Sequence, residues 1–138
     1  MQLSQDELDA FLSGPHIAVV ATSGPKGKPH AMPVWYAWRD GKVLFHTGDT
    51  SKKLRNLQAN DRISIVVDSK VAPYKVAVIE GTAKILPGDS QLARDIAIHY
   101  LGQKVGEQYA SQSTGPGALV EVNVTKVISW DYARESNP

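Results

Sequence analysis

Ile17-Ala18-Val19-Val20-Ala21-Thr22, then Ser23-Gly24-Pro25-Lys26-Gly27-Lys28-Pro29, then His30-Ala31-Met32-Pro33-Val34-Trp35-Tyr36-Ala37-Trp38: these three runs decide the fold. The first, with His16 before it, is apolar at consecutive positions, as a strand buried on both faces requires. The second is turn chemistry throughout, and the third returns to β-forming residues. Pro33 cannot donate to a ladder, so the third run belongs at a sheet edge or beside a bulge. Two antiparallel strands joined by a turn follow.

The pattern continues outward in both directions. Upstream, Ser4 and Glu7 have capping-box spacing, Leu8, Phe11 and Leu12 form an apolar stripe, and Gly14-Pro15 ends the helix. Downstream, Arg39-Asp40-Gly41-Lys42 is a hairpin signal leading to a strand at Val43–Thr47. Ser51–Ala59 reads as a helix, and strands are expected at Arg62–Asp68 and Tyr74–Ile85, with Gly81 at a bulge. Pro87-Gly88-Asp89 opens a helix carrying Leu92, Ile96, His99 and Tyr100. Lys104–Ala110 reads as one or two helical turns, and Ala118–Trp130 as a last alternating strand. The expected architecture is a mainly β, six-stranded antiparallel barrel with inserted helices, a single domain over 1–138.

Composition narrows the function classes. Fifteen Lys and Arg against fourteen Asp and Glu give a net charge of +1, which argues against a nucleic-acid or membrane-surface footprint. With no cysteine, thiolate metal sites, disulfides and thiol nucleophiles are excluded. The opening Met1–Glu7 is polar, and no run approaches the roughly 18 apolar residues of a membrane span, so the expected location is cytoplasmic with no membrane partner. His16, His30, His46 and His99 lack metal-ligand spacing, and no nucleophile elbow, P-loop or dinucleotide fingerprint is present. No catalytic residue and no metal site is assigned.

Two segments break local rules. Lys52, Lys53 and Arg55 crowd the first turn of the Ser51–Ala59 helix, where the macrodipole is already positive. A bound phosphate would resolve that conflict, gathered by backbone N–H groups, the hydroxyls of Thr47, Thr50 and Ser51, and the cations. A solvated basic face on a surface helix would account for the same residues. Around Pro33, the aromatics Trp35, Tyr36 and Trp38 suit either a planar heterocycle stacked on an edge strand or a core or dimer interface.

The ordered series resembles the pyridoxamine-phosphate-oxidase-like family of flavin-binding split barrels. It is carried by Ile17–Thr22 with Gly27-x-Pro29-His30, Met32-Pro33-Val34-Trp35, Gly41-x-Val43-Leu44-Phe45-x-Thr47, Ser51-Lys52-Lys53-x-Arg55-Asn56-Leu57, Arg62-Ile63-Ser64, and Pro73-Tyr74-Lys75 leading to Glu80-Gly81-Thr82-Ala83. The resemblance implies a homodimeric split barrel with cofactor sites at the two ends of the dimer interface. It implies that Met32, Pro33 and Val34 meet an isoalloxazine-like ring through their backbone. Thr47, Ser51, Lys52 and Lys53 would hold its phosphate, with Lys53 the direct partner. Asp49, an awkward negative charge there, is expected to point away as a cap. Trp35, Tyr74 and Trp130 are candidates for the substrate side, with the partner subunit as a possible source.

Members of the family use FMN, the deazaflavin F420, haem or biliverdin. The expected function is a flavin-type oxidoreductase using FMN or F420 for hydride transfer with a small organic substrate. True pyridoxamine-phosphate oxidase activity is not expected, because the C-terminal extension of those enzymes is missing. The alternative is a non-catalytic flavin, haem or tetrapyrrole carrier of the same barrel class, in which His46 or His99 would be the axial haem ligand to test.

Overall fold

Helix α1 (Gln5–Leu12) starts where the capping box placed it. The Ser4 hydroxyl accepts from the Glu7 N–H, and the Glu7 carboxylate accepts from the Ser4 N–H. The computed structural model describes residues 2–134. Leu8, Phe11 and Leu12 face inward from α1 and are buried, as their spacing requires. Strand β1 (Ala18–Ser23) then alternates buried and exposed residues, and a 3₁₀ turn at Pro25–Gly27 returns the chain along β2 (Pro29–Val34).

The expected six strands are seven. The run from His30 to Trp38 divides into β2 and a short β3 (Ala37–Arg39), with Trp35 and Tyr36 between them outside any strand. The cause is tertiary. The Tyr36 N–H donates to the Tyr100 hydroxyl at 3.1 Å rather than to a ladder, and the Tyr36 hydroxyl reaches the Leu12 carbonyl at 2.7 Å inside the core. The remaining elements are β4 (Lys42–Thr47), α2 (Lys52–Ala59), β5 (Arg62–Asp68), β6 (Lys75–Pro87), α3 (Ser90–Leu101), α4 (Gln103–Ser111) and β7 (Ala118–Asp131). Where one or two turns were expected, α4 is a nine-residue helix.

All strands pair antiparallel in the order β2-β1-β5-β6-β7-β4-β3. Pro33 therefore sits on an edge strand, as its missing donor demands. Strands β2 and β3 occupy opposite edges of the sheet although only two residues separate them. That connection reaches about 11 Å at most, so the sheet must curl until its edges lie side by side. The long β6–β7 ribbon joins two offset halves. Strand β5 pairs with Val76–Thr82 of β6, and β4 pairs with Ala118–Asn123 of β7. The result is a split antiparallel barrel.

The ribbon is bent by a bulge between Glu80 and Gly81. A Cβ on Gly81 would collide with the Asn123 carbonyl oxygen, so the close approach needs glycine there. Inside the barrel, Val20, Val43, Phe45, Ile65, Val67, Ile79, Val120 and Val122 are completely buried, with the α1 stripe and Leu57 of α2 packed on them. Each such side chain contributes about 1.5–3 kcal/mol by leaving water.

The two outer faces of the sheet differ. Over β3, β4 and the start of β7, helix α3 packs Leu92 and Ile96 on Leu119, with Leu44, Leu86 and Tyr100 around them. Over β1 and β5 the outer face carries no helix among the described residues. A row in register runs Pro33, Val19, Val66, Val78, Ile128 across five strands. Val19 and Val66 on it are 39% and 38% exposed. Among the described residues no helix is long and apolar enough to cross a membrane.

Candidate functional site

The turn after β4 delivers the chain to α2 with Ser51 as its cap. The Ser51 hydroxyl accepts from the Leu54 N–H at 3.2 Å and lies 2.7 Å from the Thr47 hydroxyl. Asp49, expected as the cap, is an exposed turn residue instead, because Ser51 already fills that role. No acidic residue offsets the first turn of α2, so the positive helix end and its cations remain uncompensated from within. Lys52 is exposed there, whereas Lys53 is half-buried. Burial pushes the Lys53 ammonium below the usual lysine range, and no carboxylate pairs with it among the described residues.

Lys53 borders a cleft of about 340 Å³ whose opposite wall is the end of β2. Pro33, Val34 and Trp35 come from that wall, His46 from β4, Ala93 and Ile96 from α3, and Tyr109 from α4. The loop after α4 closes the lining with Ser113, Gly115 and Pro116. The cleft thus brings together Pro33, Val34, Trp35 and Lys53, four residues that the sequence had suggested. Met32 lies beside them on β2, 43% exposed, and Thr47 and Ser51 form the helix start behind Lys53.

Trp35 is stacked on Tyr100, ring centroids 5.0 Å apart and 9° from parallel, with Tyr109 tilted against it at 5.3 Å. The Tyr100 hydroxyl also donates to the His16 carbonyl at 2.6 Å while accepting from the Tyr36 N–H. One α3 side chain therefore fixes the break between β2 and β3 and, with it, the aromatic wall of the cleft. Burial holds both the Tyr100 and Tyr36 phenols above their ordinary pKa, so these hydroxyls stay protonated donors. A smaller hollow of about 140 Å³ adjoins the cleft and shares Ala93, Tyr109, Ser113, Gly115 and Pro116 with it.

Tyr74 is not near this cleft in the chain. It lines a separate hollow of about 610 Å³ with Val66, Lys75, Val76 and Tyr132, and Val66 lies two strands from Pro33 in the same register row. Trp130 pairs in register with Val76 on the bare outer face of the sheet. Tyr109 and the Gly115-Pro116 turn are cleft residues that sequence reading missed, and His46, considered there only as an axial haem ligand, joins them in the lining. For His46 the signal was available: it alternates with Leu44 on the β4 face away from the barrel interior. His99 stands edge-on to Tyr100 on α3, 5.5 Å between centroids. Among the described residues no group of three or more His, Asp or Glu is placed to hold a metal ion.

Comparison with known proteins gives a consistent kinship. The family model described as pyridoxamine 5'-phosphate oxidase matches residues 4–131. A 5a,11a-dehydrotetracycline/5a,11a-dehydrooxytetracycline reductase of Streptomyces rimosus is 33% identical over 95 residues, 63% of this chain and 66% of that protein. A pyridoxine/pyridoxamine 5'-phosphate oxidase of Bacteroides thetaiotaomicron is 35% identical over 88 residues, 62% of this chain and 41% of its own length. The chain thus spans less than two thirds of each of these relatives. Among solved structures, a conserved hypothetical protein of Mycobacterium tuberculosis superposes with a TM-score of 0.82 at 24% identity, covering 99% of this chain and 89% of that one. An F420 reductase superposes with a TM-score of 0.72 at 22% identity, covering 87% and 94%. At these identities the structural likeness speaks for the fold.

Proposed function

Because the chain belongs to the pyridoxamine 5'-phosphate oxidase family, we propose that it is an oxidoreductase working through a flavin-type cofactor, FMN or the deazaflavin F420, held in the cleft between β2 and α2. The observation that carries this reading is Lys53: a half-buried cation, without a carboxylate partner among the described residues, facing a cleft at a helix start that already favours anions. A phosphate there would relieve the desolvation of Lys53 and satisfy the charge of the first turn. A reductase and an oxidase among the relatives support the reaction class.

The cleft fits such a group chemically. Lys53 supplies the cation, and the Ser51 and Thr47 hydroxyls shape the helix start that carries it. Met32, Pro33 and Val34 offer an edge strand whose outward backbone groups are free of a neighbouring strand, suited to the polar rim of a planar ring. Trp35, braced by Tyr100, gives that ring an apolar wall and keeps water from it. When bound, the cofactor supplies the hydride chemistry. The chain's residues bind and orient it, so no acid–base pair of their own is required.

The bare outer face completes the reading. Five apolar residues in one row, three of them more than a third exposed, form a patch a stable chain buries against a partner. We take the partner to be a second copy, giving a homodimer in which Tyr74 and Trp130 of one subunit stand on the substrate side of the other's cleft. The substrate is a small organic molecule.

The test is a visible absorption spectrum of the purified protein, followed by titration with FMN and with F420 and by turnover with reduced cofactor. Saturable binding of one cofactor with turnover is the expected result. Binding without turnover on any reductant or acceptor would leave a carrier. Failure of both cofactors to bind would overturn the proposal.

A further inference from the structure

His46 is the cleft residue whose chemistry the fold fixes most tightly. Its ring faces α3, and the Asp89 backbone N–H at the start of that helix donates to His46 Nε2 at 3.0 Å. A neutral imidazole has one accepting and one donating nitrogen, so accepting at Nε2 leaves the ring proton on Nδ1. Nδ1 has no acceptor among the described residues, and the ring borders the cleft beside Lys53, Trp35 and Tyr109.

The surroundings keep this ring neutral. A second ring proton would break the bond from Asp89 and place a cation at the positive end of α3. Lys53, from α2, already contributes a positive charge to the same cleft. The Asp89 carboxylate pulls the other way, but it is engaged in capping α3, accepting from the Leu92 N–H at 3.0 Å. Neither α4 nor the loop after it adds a charged group to the lining. Desolvation, which outweighs Asp89, lowers the pKa of the ring.

We propose that His46 is a ligand-binding residue of the cleft, its Nδ1–H donating a hydrogen bond to an acceptor atom of the bound planar cofactor. The inference rests on the reading of the cleft as a flavin-type site, and it adds a neutral directional donor to the cation already assigned there. Lys53 would hold charge, whereas His46 would select an oxygen or nitrogen acceptor at a fixed place. This division is possible because α3, not the ligand, fixes the tautomer.

The experiment uses ¹⁵N-labelled protein and long-range nitrogen–proton correlations of the histidine rings, with FMN as probe and F420 if FMN does not bind. The free protein should show His46 protonated at Nδ1, and its ring resonances should move on saturation. His46→Asn, which keeps a donor near the Nδ1 position, should hold the probe within about threefold of the original affinity. His46→Leu should lose about three- to tenfold, the range for one neutral hydrogen bond. A ring protonated at Nε2 would overturn the inference. So would an unmoved His46 signal, or an unchanged affinity in His46→Leu, while the cofactor absorbance reports binding; the flavin-site reading would survive either result. If neither probe binds the unaltered protein, both fall together.

Discussion

The two outer faces of this barrel begin from the same strand chemistry and end differently. Over β4 and the start of β7, Leu44 and Leu119 are covered by α3, which brings Leu92, Ile96 and Tyr100 down onto them. Over β1 and β5, Val19 and Val66 are 39% and 38% exposed, with no helix packed on them among the described residues. The cleft lies where the covered half meets the end of β2, because the helix that buries the apolar strands also sets Tyr100 against Trp35 and the N–H of Asp89 against His46. The bare half contains no such polar fixing points along its central row. A helical cover inside the chain builds a site, whereas a bare apolar face calls for cover from outside it.

That contrast breaks first at the bare face. Val66→Glu places a charge in the middle of the row. It should weaken self-association by about 3–5 kcal/mol, the scale of an uncompensated buried charge, and leave a folded monomer by sedimentation velocity. The unaltered protein should sediment as a dimer at micromolar concentration. If it is already a monomer there, the bare face has another role and the partner contribution of Tyr74 and Trp130 falls.

The covered half breaks at Gly106. A Cβ at that position would lie 2.5 Å from Ile98 Cα and 2.7 Å from Ile98 N, so α4 can reach α3 only with glycine there. Gly106→Ala should destabilise the fold by about 1–3 kcal/mol in denaturant titration, the range for overpacking a tight contact. It should also change Trp35 fluorescence, since Tyr109 rides on α4 against that indole. An unchanged spectrum would mean that Tyr109 does not depend on the α3–α4 contact.

The smallest expected effect is that of pH. Burial lowers the pKa of both His46 and His16 from the ordinary 6.5. Below 6.5 the unfolded chain takes up protons that the folded rings resist, so stability is complete above that value and declines as pH falls beneath it. The thermal midpoint should therefore drop between pH 7.5 and 5.5, and His46→Asn should flatten part of the slope. A further decline is expected below 4.5. Glu7, held down to about 2 by hydrogen bonds from Arg134 and the Ser4 backbone, must then be protonated as pH falls toward that value. A midpoint that rises toward pH 5.5 would contradict this assignment.

Much of this molecule was legible in its sequence, because most of its elements are set locally. The capping box, the turn within Ser23–Pro29, the edge position of Pro33 and the bulge at Gly81 each follow from residue chemistry within a few positions. The strand break at Trp35-Tyr36 does not. Trp35, Tyr36 and Trp38 all favour β structure, and the break is imposed by a hydroxyl 64 residues away on Tyr100. The length of α4 was hidden for a similar reason, since Gly106 looks like a helix breaker until its contact with Ile98 is seen. At the site, Lys53 and the Pro33–Val34 edge could be suspected from local rule-breaking. For His46 the strand alternation gives only its face, because its partner, the Asp89 N–H, lies 43 residues along the chain and leaves no local mark.

Lys53 is the residue on which the proposed cofactor site depends most directly. Titration of FMN and of F420 into the unaltered protein and into Lys53→Ala, followed by cofactor absorbance, compares the cleft with and without its cation. Saturable binding of one cofactor is predicted, weakened about 10- to 100-fold in the variant by loss of a charge-assisted contact of about 1.5–3 kcal/mol. Equal affinity in the two proteins would contradict the account.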